Sequence, residues 1–409
     1  MRILFLTPQA PYPPQKGTAL RNWGLISGLS SRHQVGLLSF LAPGQEAQLA
    51  SPLTAACERV ETVPQPARTH RDRLRDMLTT RQPDMALRLA SELYAQRLAD
   101  WLAQESFDIV QIEGIEMAPY LDVVEAANPR PFVVLDDHNC EYLLQQRTFL
   151  TDLRAPVRWP GAAYSFVQWR RLRRYEAQIC RRADRVLAVS EADAAALRRL
   201  VPGLESTVVP NGIDTQTYTP IPSHPHTAGA TLVFTGTMDF RPNVDAVLWF
   251  ARQVLPQIRE EMPEIRFVVV GQRPHRRLDS LRDDPAVTLT GWVEDTRPYI
   301  AEAAVYVAPL RVGGGTRLKL LEAMAMGKPV VATRLGAEGY PVTDGHELLL
   351  TDTPADFAAA VLSLLRAPER RIELGQIARA FVERRYDWRV IVPGVETVYE
   401  SLFGTGTSE

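Results

Sequence analysis

Arg311-Val-Gly-Gly-Gly-Thr-Arg-Leu-Lys-Leu-Leu-Glu-Ala-Met-Ala-Met-Gly-Lys-Pro-Val-Val-Ala332 reads as a loop, a helix and a strand in one short stretch. Gly313, Gly314 and Gly315 make a flexible turn, Thr316 is a helix-capping residue type, and the apolar run Leu318 to Met326 predicts a mostly buried helix. Gly327 and Pro329 end it, and Val330 to Ala332 predicts the next buried strand. The free N–H groups at the start of such a helix, with the helix dipole behind them, suit an anion and typically a phosphate. Arg317 and Lys319 add positive charge at that end. Glu322 lies among Leu320, Leu321, Ala323 and Met324, so its carboxylate must find a partner. Lys319 one turn earlier is one candidate, and the sugar hydroxyls of a bound ligand are the other.

Moving outward, the same alternation of strand and helix recurs in both directions. Ala304 to Pro309 is a strand running into the glycine loop. Thr231 to Thr235 leads through Gly236-Thr237-Met238-Asp239 into a helix over Asn243 to Arg259, Arg266 to Val270 ends at Gly271, and Val287 to Thr290 leads into Gly291-Trp292-Val293. In the first half, strands are predicted at Arg2 to Thr7, Val35 to Phe40, Phe107 to Ile112, Pro131 to Leu135 and Arg185 to Val189, with a mostly helical stretch from Gln45 to Glu105. A turn at Lys16-Gly17-Thr18 follows the first strand. The pattern predicts an α/β protein with two doubly wound parallel sheets. A shift to Pro- and His-containing sequence, including His224 and His226, puts the domain boundary at 208/209. The second domain then runs to 387, and a last amphipathic helix over 388–403 packs back on the first.

Length and composition fit this division. At 409 residues the chain is too long for one ordinary core, and 45% hydrophobic with 23% charged residues is the balance of a water-soluble globular protein. A formal net charge of −2 excludes a globally basic nucleic-acid binder, and no apolar run approaches the roughly 20 residues of a membrane span. The start Met-Arg-Ile-Leu-Phe-Leu-Thr-Pro is too short for a signal peptide, so a cytoplasmic location is expected. Three scattered cysteines, Cys57, Cys140 and Cys180, give neither a disulfide framework nor a zinc site.

Two further features stand out. His138 follows the strand end Asp136-Asp137, at the edge where open parallel sheets bind ligands; the two aspartates could orient its ring, or the histidine could simply cap the next helix. Metal binding is disfavoured because no second His or Cys stands at ligand spacing and Asp-x-Asp is absent. Residues 151–185 hold nine arginines against three acids, interleaved with Trp159, Tyr164, Phe166 and Trp169. That composition suits either a solvated helix face or peripheral contact with an anionic membrane.

Together these landmarks resemble the GT-B glycosyltransferases, specifically the retaining enzymes of glycosyltransferase family 4. The resemblance covers nearly the whole chain: the first strand and Lys16-Gly17, Asp137-His138-Asn139, Val189-Ser190-Glu191, Val209-Pro210-Asn211-Gly212-Ile213-Asp214, Gly291-Trp292-Val293, and Leu321-Glu322-Ala323-Met324-Ala325 with Gly327-Lys328-Pro329-Val330-Val331. The glycine-loop version is most similar to bacterial sugar transferases of exopolysaccharide clusters, including those associated with the PEP-CTERM/exosortase system. The resemblance implies two Rossmann-like domains facing across a cleft. It also implies a nucleotide diphosphate sugar as substrate with no other cofactor, and a glycan or lipid-linked acceptor. It places Glu322 on the ribose of the donor, the backbone around Gly314, Gly315, Thr316 and Arg317 on the sugar and diphosphate, His138 beside the donor sugar, Gly17 near the phosphates, and Trp292 and Val293 at the base.

The chain departs from the family pattern twice. The usual first glutamate, eight positions before Glu322, is Gly314. The usual Arg and Lys that clamp the diphosphate are replaced, on the sequence register, by Thr237 and Pro242, with Arg241 nearby. Arg317 and Lys319 are expected to supply the missing charge, with His138 as the third catalytic candidate and no metal. The alternatives are a degenerate nucleotide-binding scaffold and a nucleotide-sugar epimerase on the same fold. Dinucleotide oxidoreduction is disfavoured because neither glycine turn spells Gly-x-Gly-x-x-Gly.

Overall fold

The computed structural model describes residues 1–14, 17–42, 52–153, 156–221 and 231–404. Lys16, His224, His226 and residues 405–409 lie outside them. The chain forms two units, Met1–Pro210 with Ile391–Glu409, and Asn211–Val390. The division therefore falls at Pro210, two residues beyond the sequence boundary, and the second unit ends at Val390.

In the first unit, β1 (Arg2–Thr7), β2 (Gln34–Leu41), β3 (Arg59–Pro64), β4 (Ile109–Glu113), β5 (Phe132–Asp137), β6 (Arg185–Ala188) and β7 (Ser206–Val208) form one parallel sheet in the order β3-β2-β1-β4-β5-β6-β7. A parallel sheet needs both faces covered by helices, and Ile3, Leu4, Phe5 and Leu6 of the central strand are accordingly inaccessible to solvent. The chain leaves β1 on one side for β2 and β3, then returns on the other side with β4. Such a reversal opens a crevice at the carboxyl ends of the two central strands. The strand β3 corrects the sequence reading, which made 45–105 mostly helical. It is an edge strand with one polar face, Arg59-Val-Glu-Thr-Val-Pro64, in which only Val63 is buried, so its apolar signal is weak.

The helix Trp388–Gly404 closes this unit from its far end in sequence. Val392 packs against Gly28, where a Cβ would stand 2.5 Å from the valine Cγ2. Glu396 pairs with Arg32 at 2.7 Å and with His33 Nε2 at 2.9 Å, and the Tyr399 hydroxyl donates to Gln111 Oε1 on β4.

In the second unit, β8 (Thr231–Thr235), β9 (Arg266–Val270), β10 (Val287–Leu289), β11 (Val305–Ala308), β12 (Val330–Ala332) and β13 (Leu349–Leu350) repeat the plan in the order β10-β9-β8-β11-β12-β13. The reversal here lies between β8 and β11. The ends of β8 and β9 approach so closely that a Cβ on Gly271 would lie 1.7 Å from the carbonyl oxygen of Gly236, and φ at Gly271 is 154°. Only glycine fits there. The helix predicted over 243–259 is interrupted: Arg241–Trp249 passes through a π-helical turn, Phe250–Val254, into Leu255–Glu261. Pro256 has no N–H to give and its ring crowds the preceding turn, which widens to an i→i+5 bond from Leu255 N to Phe250 O.

Candidate functional site

The glycine loop leaves β11 and enters the helix Leu318–Ala325, as the sequence predicts. Gly313 and Gly315 adopt φ of 105° and 78°, a region that favours glycine. Thr316 does not cap the helix. Arg317 holds the N-cap position without a side-chain cap bond, and the Thr316 hydroxyl instead accepts a hydrogen bond from Asn211 Nδ2 at 2.8 Å. Its methyl fills the space beside Gly339, where a Cβ would lie 2.6 Å away. Thr316 thus ties the loop to its neighbours. Arg317 turns back on the same loop, with Nη1 donating to the Gly314 carbonyl.

Lys319 reaches across to the end of β8. Its Nζ donates to Asn243 Oδ1 at 2.8 Å and lies 4.2 Å from the centre of the Phe234 ring. Asn243 belongs to the helix Arg241–Trp249 and is held in turn by its Nδ2, which donates to the Thr237 carbonyl at 2.9 Å. Burial, reinforced by the charge of Arg317, pulls the Lys319 ammonium down to about 7, against the opposite influence of Glu322.

Glu322 lies one turn farther along the same helix. Among the described residues its carboxylate makes no hydrogen bond and no ion pair within 4.0 Å, so the pairing with Lys319 offered by the sequence is not formed. Burial raises its pKa, with the Lys319 charge opposing. The same carboxylate is the largest cause of the raised pKa of the Tyr218 hydroxyl, and it acts on Tyr306 and Tyr340 as well. It is half-buried and within electrostatic reach of three phenols.

The remaining candidates of this unit lie at or after the ends of β8 and β9. Thr237 contributes its backbone carbonyl to Asn243. Pro242, which the sequence register sets opposite the family's clamp lysine, is buried against the glycine loop, its Cγ 3.2 Å from where a Cβ on Gly313 would be. Arg241 is exposed at the start of its helix. Gly291 bridges to Gly271, which places Gly291-Trp292-Val293 beside the end of β9. Trp292 is 70% exposed, a bare indole face, whereas Val293 packs on the core.

In the first unit, His138 stands at the carboxyl end of β5, but its partner is not the one expected. Its Nε2 lies 2.8 Å from Glu113 Oε2 at the end of β4 and 3.9 Å from Asp136 Oδ2. Asp137 points away into a different cluster. Asp136 is gripped by Arg21, whose Nε and Nη2 reach its two oxygens at 2.7 and 2.8 Å; Arg21 is 1% exposed. Glu113 also accepts from Gln111 Nε2 at 2.6 Å and, with its amide turned to donate, from Asn22 at 2.7 Å. Burial works against the imidazolium, yet the Glu113 hydrogen bond and the charges of Asp136 and Glu113 outweigh it, and the His138 pKa is raised. Glu113, Asp136 and His138 form the metal-compatible group among the described residues. Arg21 already neutralises Asp136 there, and His138 hydrogen-bonds Glu113. Gly17 is the first, exposed residue of the helix Gly17–Leu29 that carries Arg21 and Asn22.

Asp137 faces Glu176 of the helix Trp159–Arg182, whose carboxylate caps the preceding helix, Glu141–Leu153, by accepting from the backbone of Glu141 at 2.9 Å and Tyr142 at 2.8 Å. Burial, opposed by those bonds, raises Glu176 to about 8. Burial and the Glu176 charge raise Asp137 well above the carboxylate range. Both acids are thus held toward their protonated forms. Their folded pKa values lie above the unfolded ones, so their contribution to stability is complete below about pH 4 and declines as pH rises toward 8. Asp137→Asn is expected to stabilise the protein by about 1–2 kcal/mol at pH 8 relative to pH 5. Denaturant melts of both proteins at the two pH values measure it; an unchanged difference would contradict the raised pKa values of this pair.

Sequence reasoning missed Asn243, Glu113 and Arg21. Asn243 was in view as a helix start, but nothing in a linear pattern says which distant residue it meets. Arg21 was one of many arginines.

Residues 17–217 match the family described as Glycosyltransferase Family 4, and residues 229–367 match Glycosyl transferases group 1. A phosphatidyl-myo-inositol mannosyltransferase of Mycolicibacterium smegmatis is 31% identical over 214 residues, 50% of this chain and 54% of the relative. The match thus spans about half the length of that relative. Among solved structures, sucrose-phosphate synthase from Thermosynechococcus elongatus superposes with a TM-score of 0.74 at 17% identity, covering 99% of this chain and 100% of the other. Anabaena HepE in complex with UDP gives a TM-score of 0.68 at 17% identity over 98% and 100%.

Proposed function

Because this chain belongs to the group 1 and family 4 glycosyltransferases and has their GT-B fold, we propose that it transfers a sugar, with retention, from a nucleotide diphosphate sugar to a glycan or lipid-linked acceptor in bacterial surface or exopolysaccharide synthesis. The observation that carries this reading is Glu322: a half-buried carboxylate without a protein partner among the described residues, one turn behind a lysine held at a glycine loop. A ribose supplies the donors that the carboxylate lacks, and a diphosphate supplies the anion that Lys319 lacks. HepE holds UDP and UDP-glucose in structures of the same fold, and the mycobacterial relatives are named as mannosyltransferases of an inositol phospholipid, which supports a sugar nucleotide and a lipid acceptor.

Departure of the diphosphate concentrates negative charge on its oxygens. Fixed cations and N–H groups lower that barrier most when water is excluded. This reading gives that role to Lys319, Arg317 and the amides at the start of Leu318–Ala325, and it needs no metal ion. With Gly314 in place of the family's usual glutamate there is no carboxylate nucleophile at that position. This suits a front-face route in which the leaving phosphate helps deprotonate the acceptor. Gly314 is also what favours the second reading, a scaffold that binds the nucleotide without turnover. Release of nucleoside diphosphate from a panel of sugar nucleotides, dependent on an extract of lipid-linked acceptors, separates the two; binding without release would leave only the scaffold.

The basic stretch 151–185 bears on the acceptor. Val157 is 94% exposed, and Leu150, Leu153, Trp159 and Phe166 are exposed near it. No helix among the described residues is long and apolar enough to cross a membrane, so the reading is peripheral contact with an anionic bilayer at the inner face of the plasma membrane. Val157→Glu with Trp159→Glu is expected to reduce co-sedimentation with phosphatidylglycerol vesicles; equal recovery would remove this contact.

A further inference from the structure

We propose that Asn243 is a positioning residue that presents the Lys319 ammonium to the diphosphate of the donor, so that the cation of this site comes from the glycine-loop helix and not from the helix after β8. The inference rests on the donor reading above and adds a residue that the sequence did not single out.

The geometry is specific. Asn243 is 6% exposed, and its amide orientation is fixed because Nδ2 must donate to the Thr237 carbonyl at 2.9 Å. Its oxygen therefore faces Lys319 Nζ, 76 residues away in sequence, at 2.8 Å. Space for the ammonium comes from Gly236, where a Cβ would lie 2.6 Å from Nζ. The ring face of Phe234 lines another side. A local role in starting the helix Arg241–Trp249 explains the bond to Thr237 but not the one to Lys319.

The chemistry of the cradle is the informative part. The charged groups that act on Lys319 are Arg317 and Glu322, on its own loop and helix. What β8, the turn after it and the helix Arg241–Trp249 place against it, Phe234, Gly236 and Asn243, is uncharged. An aspartate at 243 would hold the lysine equally well by shape and would neutralise it. Asparagine holds the ammonium and leaves its charge for an incoming anion. Without a close carboxylate, the buried amine gives up its proton easily, and burial pulls it down to about 7. A diphosphate arriving above that pH should restore the proton, coupling ligand binding to proton uptake.

The test is titration calorimetry of the full chain with UDP, GDP, ADP and dTDP from pH 6 to 9, in two buffers of different protonation enthalpy. The ligand's terminal phosphate titrates in the same range, so the quantity read is the difference between wild type and Lys319→Gln. We expect the wild type to take up close to one proton more than Lys319→Gln at pH 8. Asn243→Asp, nearly isosteric, should weaken the diphosphate about 10- to 100-fold. It should also flatten the pH profile and leave the affinity for the matching nucleoside unchanged, which shows that it folds. Asn243→Lys in the Lys319→Gln background should recover diphosphate affinity, delivering the cation from the other helix. Asn243→Asp binding the diphosphate as tightly as wild type, with the same pH profile, would overturn this inference alone. A wild-type protein that binds none of the four ligands would overturn the donor reading itself.

Discussion

Glu322→Ala is expected to abolish the thermal stabilisation that the preferred nucleoside diphosphate gives the wild-type protein, while the ligand-free melting point moves by no more than about 2 °C. The two halves of this expectation come from one fact. The carboxylate has no hydrogen-bond or ion-pair partner among the described residues, so removing it leaves no donor behind unsatisfied. Its raised pKa says that the folded protein holds this charge at some expense, with Lys319 giving only partial relief. In the complex, two ribose hydroxyls donating to a carboxylate are each worth about 1.5–3 kcal/mol, so their loss weakens binding by on the order of a hundredfold or more. Differential scanning fluorimetry with and without ligand reads both halves. A variant that unfolds without ligand would instead make Glu322 a structural residue.

Arg21→Met carries the largest expected cost to folding. Arg21 and Asp136 have 1% and 0% exposure and meet in a two-pronged ion pair. Without the guanidinium, Asp136 is left buried beside Glu113, and breaking a buried pair in this way costs about 3–5 kcal/mol. The rest of the network should follow, because Arg21 opposes the raised His138 pKa and helps to keep Glu113 from rising further. Arg21→Met together with Asp136→Leu should recover most of the loss, since the pair is replaced by apolar groups and no charge is stranded. Urea melts of the three variants measure this; a cost below about 1 kcal/mol for Arg21→Met alone would mean that Asp136 finds other relief.

How much of this was legible beforehand depends on the kind of signal. Strands such as Arg2–Thr7 and Thr231–Thr235 announce themselves because a parallel sheet buries both faces, giving unbroken apolar runs. The edge strand Arg59–Pro64 does not, since only Val63 needs to be apolar. Glycine turns at strand ends are legible as well, because a tight approach such as Gly271 on Gly236 leaves no freedom of residue type. Partners were beyond reach. Thr316 has the composition of a cap, and its hydroxyl went to Asn211. The aspartates next to His138 in sequence were the obvious orienting groups, but in a strand neighbouring side chains point to opposite faces. So Asp136 stays near the histidine, Asp137 goes to Glu176, and the closest acid comes from the adjacent strand. The hydrogen bond from Lys319 to Asn243 is likewise a contact between distant segments that no linear spacing encodes.

On the proposed function, the second unit holds a nucleoside diphosphate at its glycine loop. Isothermal titration of the wild-type protein with UDP, GDP, ADP and dTDP, each beside its nucleoside, tests this most directly. One diphosphate is expected to bind well ahead of its own nucleoside, and at 100 times its dissociation constant to add about 2.7 kcal/mol of stability. Equal affinity for diphosphate and nucleoside, or no heat with any of the four, would contradict it.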